Sequence, residues 1–147
     1  MTSSGEGRCD FCNLEDFRSA ELFFENQWCL YASDGAAAAE LPWAGIILPK
    51  AHRVTAFDLT DDEWLATAEL LRLAKVDLQR RCAPDGYSVG WNCYPVAGQQ
   101  VPHAHLHVIP RFADEPEAGK GVRWWLRQPG NRRPMPSRPG QGLANRS

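Results

Sequence analysis

His103-Ala104-His105-Leu106-His107-Val108-Ile109-Pro110 carries three of the four histidines of a 147-residue chain, at strict alternation. On an extended strand alternate side chains share a face, so the three imidazoles line one surface while Ala104, Leu106 and Val108 face the other. That second face is apolar and belongs against a core. Neighbouring histidines on such a strand are spaced by roughly 6.6 Å, close enough for two of them to share a metal. The outer pair, about 13 Å apart, is too widely spaced for one ion. At least one imidazole is left for other chemistry. Unrelated core or surface histidines, each with its own hydrogen bond, would not fall into this alternation.

Working outward, Asn92-Cys93-Tyr94-Pro95-Val96-Ala97-Gly98-Gln99-Gln100-Val101-Pro102 reads as a loop entering the histidine strand, because Pro95 and Gly98 break regular structure. Its amide side chains and backbone N–H groups suit phosphate oxygens, which need donors more than full charges. Further back, Thr60-Asp61-Asp62-Glu63 is a capping-box pattern, with Thr60 at the N-cap and Glu63 three residues on. Trp64, Ala68, Leu71, Leu78 and Cys82 then recur at helical spacing as far as Pro84-Asp85-Gly86. This predicts one amphipathic helix of about 20 residues with that stripe turned to a sheet. Strands are predicted at Leu22-Glu25, Trp28-Ser33, Ala44-Leu48, Tyr87-Cys93 and His103-Ile109, all short and rich in β-branched or aromatic residues. Strands, then one helix, then more strands is the order of an α+β domain.

Composition sets the outer bounds. With 44% hydrophobic and 23% charged residues, six Trp and six Phe, the chain has the makings of one globular domain with a core. A formal net charge of -2 excludes a surface given over wholly to nucleic acid or membrane. No apolar run approaches the roughly 18 residues a bilayer span needs. Met1-Thr2-Ser3-Ser4-Gly5-Glu6-Gly7 lacks the basic and apolar regions of a secretory signal, so the expected location is the cytoplasm. In that reducing compartment the five cysteines are expected to be ligands or plain core thiols, with Cys29, Cys82 and Cys93 in the second class.

The domain is expected over residues 9–128, between a small polar start (1–8) and a Pro/Gly-rich tail (129–147, PGNRRPMPSRPGQGLANRS). Seven of the sixteen basic residues follow Glu117 and no acidic residue does, which suits either a solvated tail or a basic flap over an anionic ligand. Trp124-Trp125 also has two readings. The pair can stack on a base beside Arg123 and Arg127, or it can pin the terminus to the core or to a partner chain. At the other end, Cys9-Asp10-Phe11-Cys12 is either half of a zinc site or two unrelated core cysteines. No second Cys-x2-Cys exists, and His52, the one histidine outside the run, is the natural third ligand. A catalytic zinc would in addition need an open coordination position.

Asn92, Gly98-Gln99-Gln100-Val101 and His103-x-His105-x-His107 followed by two apolar residues together resemble the signature of the histidine triad (HIT) superfamily. Ile46-Ile47-Leu48-Pro49-Lys50-Ala51-His52 resembles its strand ending in Pro-Lys-x-His, and Asp58-Leu59-Thr60-Asp61-Asp62-Glu63 the start of its helix. The likeness covers roughly residues 9 to 127. It implies an antiparallel half-barrel sheet with one long helix, which dimerises into a continuous sheet. It also implies a nucleotidyl hydrolase or transferase that cleaves nucleoside phosphoramidates or dinucleoside polyphosphates at the α-phosphate, through a nucleotidyl-histidine intermediate. The nucleophile would be His105, its other ring nitrogen held by a backbone carbonyl, and His107 would contact the phosphate. Asn92, Gln99 and Gln100 would contact phosphate or ribose. A bacterial subset of the superfamily carries the same Cys-x2-Cys, and by that resemblance Cys9, Cys12, His52 and His103 form a closed structural zinc site.

The pattern also departs from the superfamily. Where members have an Asp-Ile-x-Pro-like stretch whose Asp binds ribose, this chain has Ser33-Asp34-Gly35-Ala36-Ala37-Ala38-Ala39-Glu40, so Asp34 is the candidate for that role. A histidine seen before the Pro-Lys strand is replaced by Trp43 or Ala44, and the usual Ser or Thr after Gly-Gln is Gln100. These changes bear on substrate and leave the nucleophile untouched. A non-catalytic nucleotide-binding or scaffold protein with a structural zinc is the other class of function these residues allow. Nucleic acid is not an expected partner.

Overall fold

The computed structural model describes residues 9–13, 22–35, 37 and 39–134. The predicted polar start, 1–8, lies outside the described residues, as does the tail beyond residue 134. Strands β1 (Leu22–Glu25), β2 (Cys29–Ser33), β3 (Gly45–Pro49), β4 (Gly86–Trp91) and β5 (Leu106–Arg111) form one antiparallel sheet in the order β1-β2-β3-β5-β4. Helix α1 (Asp61–Arg81) connects β3 to β4, and a short α2 (Val122–Leu126) follows β5. The expected α+β architecture is the one the chain adopts.

Period-two alternation gives the sheet two apolar faces. Cys29 and Tyr31 of β2, Ile47 of β3, and Leu106 and Val108 of β5 pack with Ala66, Leu70, Ala74 and Leu78 of α1. Leu30, Ile46 and Leu48 form a second cluster, joined by Phe11 and Leu22. His107 pairs with Ile46 across β3 and β5, so it belongs to this second face while its neighbours Leu106 and Val108 belong to the helix face. Gly45 is required by close approach, since an added Cβ would overlap the Tyr31 ring lying across it.

The capping box is as the sequence indicates: Thr60 Oγ1 accepts from the Glu63 N–H at 3.2 Å and a Glu63 carboxylate oxygen accepts from the Thr60 N–H at 2.8 Å. Acidic residues in the first turn and Arg80 and Arg81 in the last complement the helix dipole. Of the predicted stripe, Leu78 is in the core and Leu71 and Cys82 pack against it, but Trp64 does not, and the centre of the buried face lies nearer Ala66, Leu70 and Ala74. That face consists of Glu63, Ala66, Thr67, Leu70, Ala74, Asp77 and Leu78, whereas Trp64 is 42% exposed and Leu65 70% exposed. Small side chains let α1 sit close on the sheet. The polar members of the stripe are satisfied: Thr67 Oγ1 donates to the Glu63 carbonyl at 2.7 Å, and Glu63 receives Arg53 Nε at 3.0 and 3.1 Å.

The histidine strand also starts later than predicted. Its ladder runs Leu106–Arg111, and His103, Ala104 and His105 precede it. β3 ends at Pro49, which has no N–H to donate, so its partner there loses the ladder. The Ala104 N–H donates instead to the Arg53 carbonyl at 2.6 Å, and the His103 carbonyl is taken by a histidine side chain.

Candidate functional site

Two adjoining clusters of side chains occupy the sheet face away from α1. The first joins the N-terminal knuckle to the histidine run. One 3-10 turn, Asp10–Cys12, is closed by the Cys12 N–H donating to the Cys9 carbonyl at 3.0 Å, which turns both thiols the same way. Cys9 Sγ lies 3.4 Å and Cys12 Sγ 3.5 Å from His103 Nδ1, and Cys12 Sγ lies 3.2 Å from His52 Nδ1. The four ligand atoms of Cys9, Cys12, His52 and His103 all fall within 4.8 Å of one another. Tetrahedral ligands on a zinc ion, at about 2.3 Å for sulfur and about 2.0 Å for nitrogen, sit roughly 3.5 Å apart. The donor set therefore fits a closed tetrahedral metal site. His103 is fully buried and its Nε2–H donates to the Pro49 carbonyl at 2.8 Å, the outer hydrogen bond that orients a ligating imidazole.

The second cluster is built on His105. Its Nδ1–H donates to the His103 carbonyl at 2.7 Å, which fixes the tautomer and leaves Nε2 as the free lone pair of the neutral ring. Burial pushes this imidazole below the usual histidine range, against the opposing effect of the carbonyl bond. The ring meets Phe11 at 5.2 Å between centroids with planes at 87°, and His107 at 4.8 Å with planes at 72°. His107 Nδ1 in turn lies 3.5 Å from Asp34 Oδ2. That contact is the main reason the Asp34 carboxyl lies below its ordinary range, partial burial acting the other way. Asp34, read from the sequence as a ribose-binding acid, stands against the triad with one oxygen engaged by His107.

The loop before the run carries the remaining candidates. Tyr94 (φ 70°) and Gly98 (φ 96°) both take the left-handed region, and Gly98 closes the 3-10 turn Pro95–Ala97. The Asn92 amide nitrogen lies 3.7 Å from where a Gly98 Cβ would stand, so Asn92 and the glycine turn are neighbours. Gln99 is 6% exposed with both ends of its amide engaged: Oε1 accepts from the Tyr94 N–H at 2.7 Å and Nε2 donates to the Val54 carbonyl at 2.6 Å. Its side chain ties the loop to Val54. Gln100 is exposed beside it.

Segment 52–54 is thus held three ways, by His52 beside Cys12 and His103, by the Arg53 carbonyl and by the Val54 carbonyl. Sequence reasoning missed Phe11 and the carbonyls of Pro49, Arg53 and Val54. The place of Phe11 between Cys9 and Cys12 was its one signal. Trp124 and Trp125 stack edge to face at 4.5 Å with Lys120 Nζ 4.4 Å from the Trp124 ring centre. Helix α2 buries none of its residues, so the pair does not pin the terminus to this chain's core. Cys29 is buried, Cys82 and Cys93 are half-buried, and none of the five cysteines is in a disulfide. No helix of the described residues is long and apolar enough to cross a membrane.

This fold and this row of histidines are those of the histidine triad proteins, and the chain belongs to the HIT domain family, whose pattern matches residues 18–114. It is 31% identical over 136 residues to an uncharacterised 16.1 kDa HIT-like protein of Mycoplasma pneumoniae, covering 88% of this chain and 87% of that protein. Over 79 residues it is 33% identical to the adenosine 5′-monophosphoramidase of Schizosaccharomyces pombe, covering 54% of this chain and 55% of that one. Among solved structures, a HIT family protein from Bacillus anthracis superposes with a TM-score of 0.66 at 24% identity, over 76% of this chain and 77% of that one.

Proposed function

We propose that this protein is a nucleotidyl hydrolase of the histidine triad type, cleaving nucleoside phosphoramidates or dinucleoside polyphosphates at the α-phosphorus. The observation that carries the reading is the bond from His105 Nδ1–H to the His103 carbonyl, which leaves Nε2 as a nucleophile of fixed tautomer. In the first step the Nε2 lone pair forms a bond to the α-phosphorus. The bond from phosphorus to the leaving nitrogen or oxygen breaks with its electron pair, and the leaving group takes a proton from water. A second water then displaces the imidazole and releases the nucleoside monophosphate. His107, beside His105 and backed by Asp34, is the group placed to offset charge on the phosphate oxygens. Asn92 and the backbone of the loop at Gly98 and Gln100 supply donors to phosphate or ribose. That a related chain is an adenosine 5′-monophosphoramidase supports the reaction class.

The metal is proposed to be zinc, held by Cys9, Cys12, His52 and His103. Four protein ligands leave no open position, so when bound it supplies structure and activates no water. The assembly is proposed to be a homodimer, for which β4, an outer strand of the sheet, offers an edge. The cytoplasm remains the expected location.

The test is release of nucleoside monophosphate from an adenosine phosphoramidate and from a dinucleoside tetraphosphate, by wild type and by His105→Asn. Wild type should turn over at least one of them, and His105→Asn should fold normally and lose at least about a thousandfold in rate. Nucleotide binding without release from either substrate would replace the enzyme with a nucleotide-binding protein.

A further inference from the structure

The knuckle reaches further than its two thiols. Phe11 lies between Cys9 and Cys12 on a single closed turn, so the direction of its ring follows from the thiols' aim at the ligand cluster. The ring is half-buried, packs on the Leu30, Ile46 and Leu48 cluster and stands edge to face against His105 at 5.2 Å. Among the described residues His105 has a single side-chain hydrogen bond, through Nδ1. That bond limits rotation about Cβ–Cγ to the range in which Nδ1–H still meets the carbonyl, and within that range the sp3–sp2 torsion leaves the ring free to rock. Two rings complete the restraint, His107 at 4.8 Å and Phe11 at 5.2 Å, both in the perpendicular arrangement that aromatic pairs favour.

We propose that Phe11 is a positioning residue for His105, an aromatic wall carried by the metal knuckle that fixes the imidazole plane and shields its Nδ1 hydrogen bond from water. Metal binding and catalysis are thereby coupled without the metal touching substrate: the ion holds the turn, the turn holds the ring, and the ring holds the nucleophile. This rests on the reading of His105 as nucleophile.

Phe11→Leu, Phe11→Ala and Phe11→Tyr separate this role from simple support of the metal site. Three quantities are compared with wild type: metal per chain, kcat and KM with the adenosine phosphoramidate, and exchange of the His105 Nδ1 proton with water in 15N-histidine-labelled protein. Only four histidines make that spectrum sparse. Phe11→Leu, which keeps the apolar contact with the sheet, should retain its metal, hold KM within about twofold and lose about tenfold or more in kcat. Its His105 Nδ1 proton should exchange about tenfold faster or more, while Phe11→Tyr restores both values. Phe11→Ala should move the same way and further. Unchanged proton exchange and kcat in Phe11→Leu, or loss of activity only in step with loss of metal, overturns the proposal. Should wild type prove inactive on these substrates, the reading of His105 falls by itself, and proton exchange in Phe11→Leu still decides whether Phe11 holds the ring.

Discussion

At the scale of single residues, Asp34 separates two roles that the sequence left merged. A ribose contact would show itself in binding, whereas a partner that orients His107 acts on the chemical step. The 3.5 Å contact to His107 Nδ1 favours the second. Asp34→Asn is expected to lower kcat about tenfold, close to 1.4 kcal/mol of barrier, with KM little changed. A raised KM at constant kcat would return Asp34 to the ribose. The pair is partly exposed, so its contribution to stability is under about 1 kcal/mol. Its pH sense follows from the carboxyl being depressed in the folded state. The contribution is present above the ordinary carboxyl value of about 3.9 and is lost as pH falls through the folded value. Urea midpoints of wild type and Asp34→Asn should converge below about pH 4.

At the scale of elements, the helix tests how far an apolar pattern can be trusted. Its ends were legible, because Thr60 and Glu63 cap it through local bonds that any such sequence would make. The buried face was less so. Trp64, Leu65, Leu73 and Val76 put large apolar groups on the other sides of the helix, and the side that is buried is the one carrying Ala66, Leu70, Ala74 and Leu78. Leu70→Ala, fully buried between α1 and the sheet, should cost about 2–5 kcal/mol. Leu65→Ala, 70% exposed, should change stability by less than about 0.5 kcal/mol. Chemical denaturation of both variants checks the assignment, and equal losses would mean that the second face is covered in solution. The strands were legible to within two residues at each end, except that the histidine strand starts three residues after His103. The late start of the histidine strand was hidden because it depends on Pro49 and Arg53, residues distant in the chain that decide which N–H groups find a ladder. For the same reason the histidines could be found by alternation, while the use of Gln99 to tie Tyr94 to Val54 could not.

For the whole molecule, the cluster of Cys9, Cys12, His52 and His103 is where distant parts of the chain meet. Cys9 and Cys12 come from the knuckle, His52 from the segment after β3 and His103 from the loop before β5. Each is joined to the histidine run by a further contact: Phe11 on His105, the Arg53 carbonyl on Ala104, and the His103 carbonyl on His105 itself. A ligand that binds only the folded state stabilises it by mass action, about 2.7 kcal/mol at a hundred times its Kd, so removal of the metal should be felt first as lost stability. Cys9→Ser is therefore expected to lower metal content and Tm together. At temperatures where the variant stays folded, turnover should fall less steeply than in His105→Asn. Excess zinc should recover part of the Tm and part of the rate in the same titration, since both report one binding event. A catalytic metal would behave otherwise, with chelation abolishing turnover at once while Tm moved little. A Cys9→Ser protein that still held one tight zinc per chain would exclude Cys9 from the ligand set and break the link between the knuckle and the nucleophile.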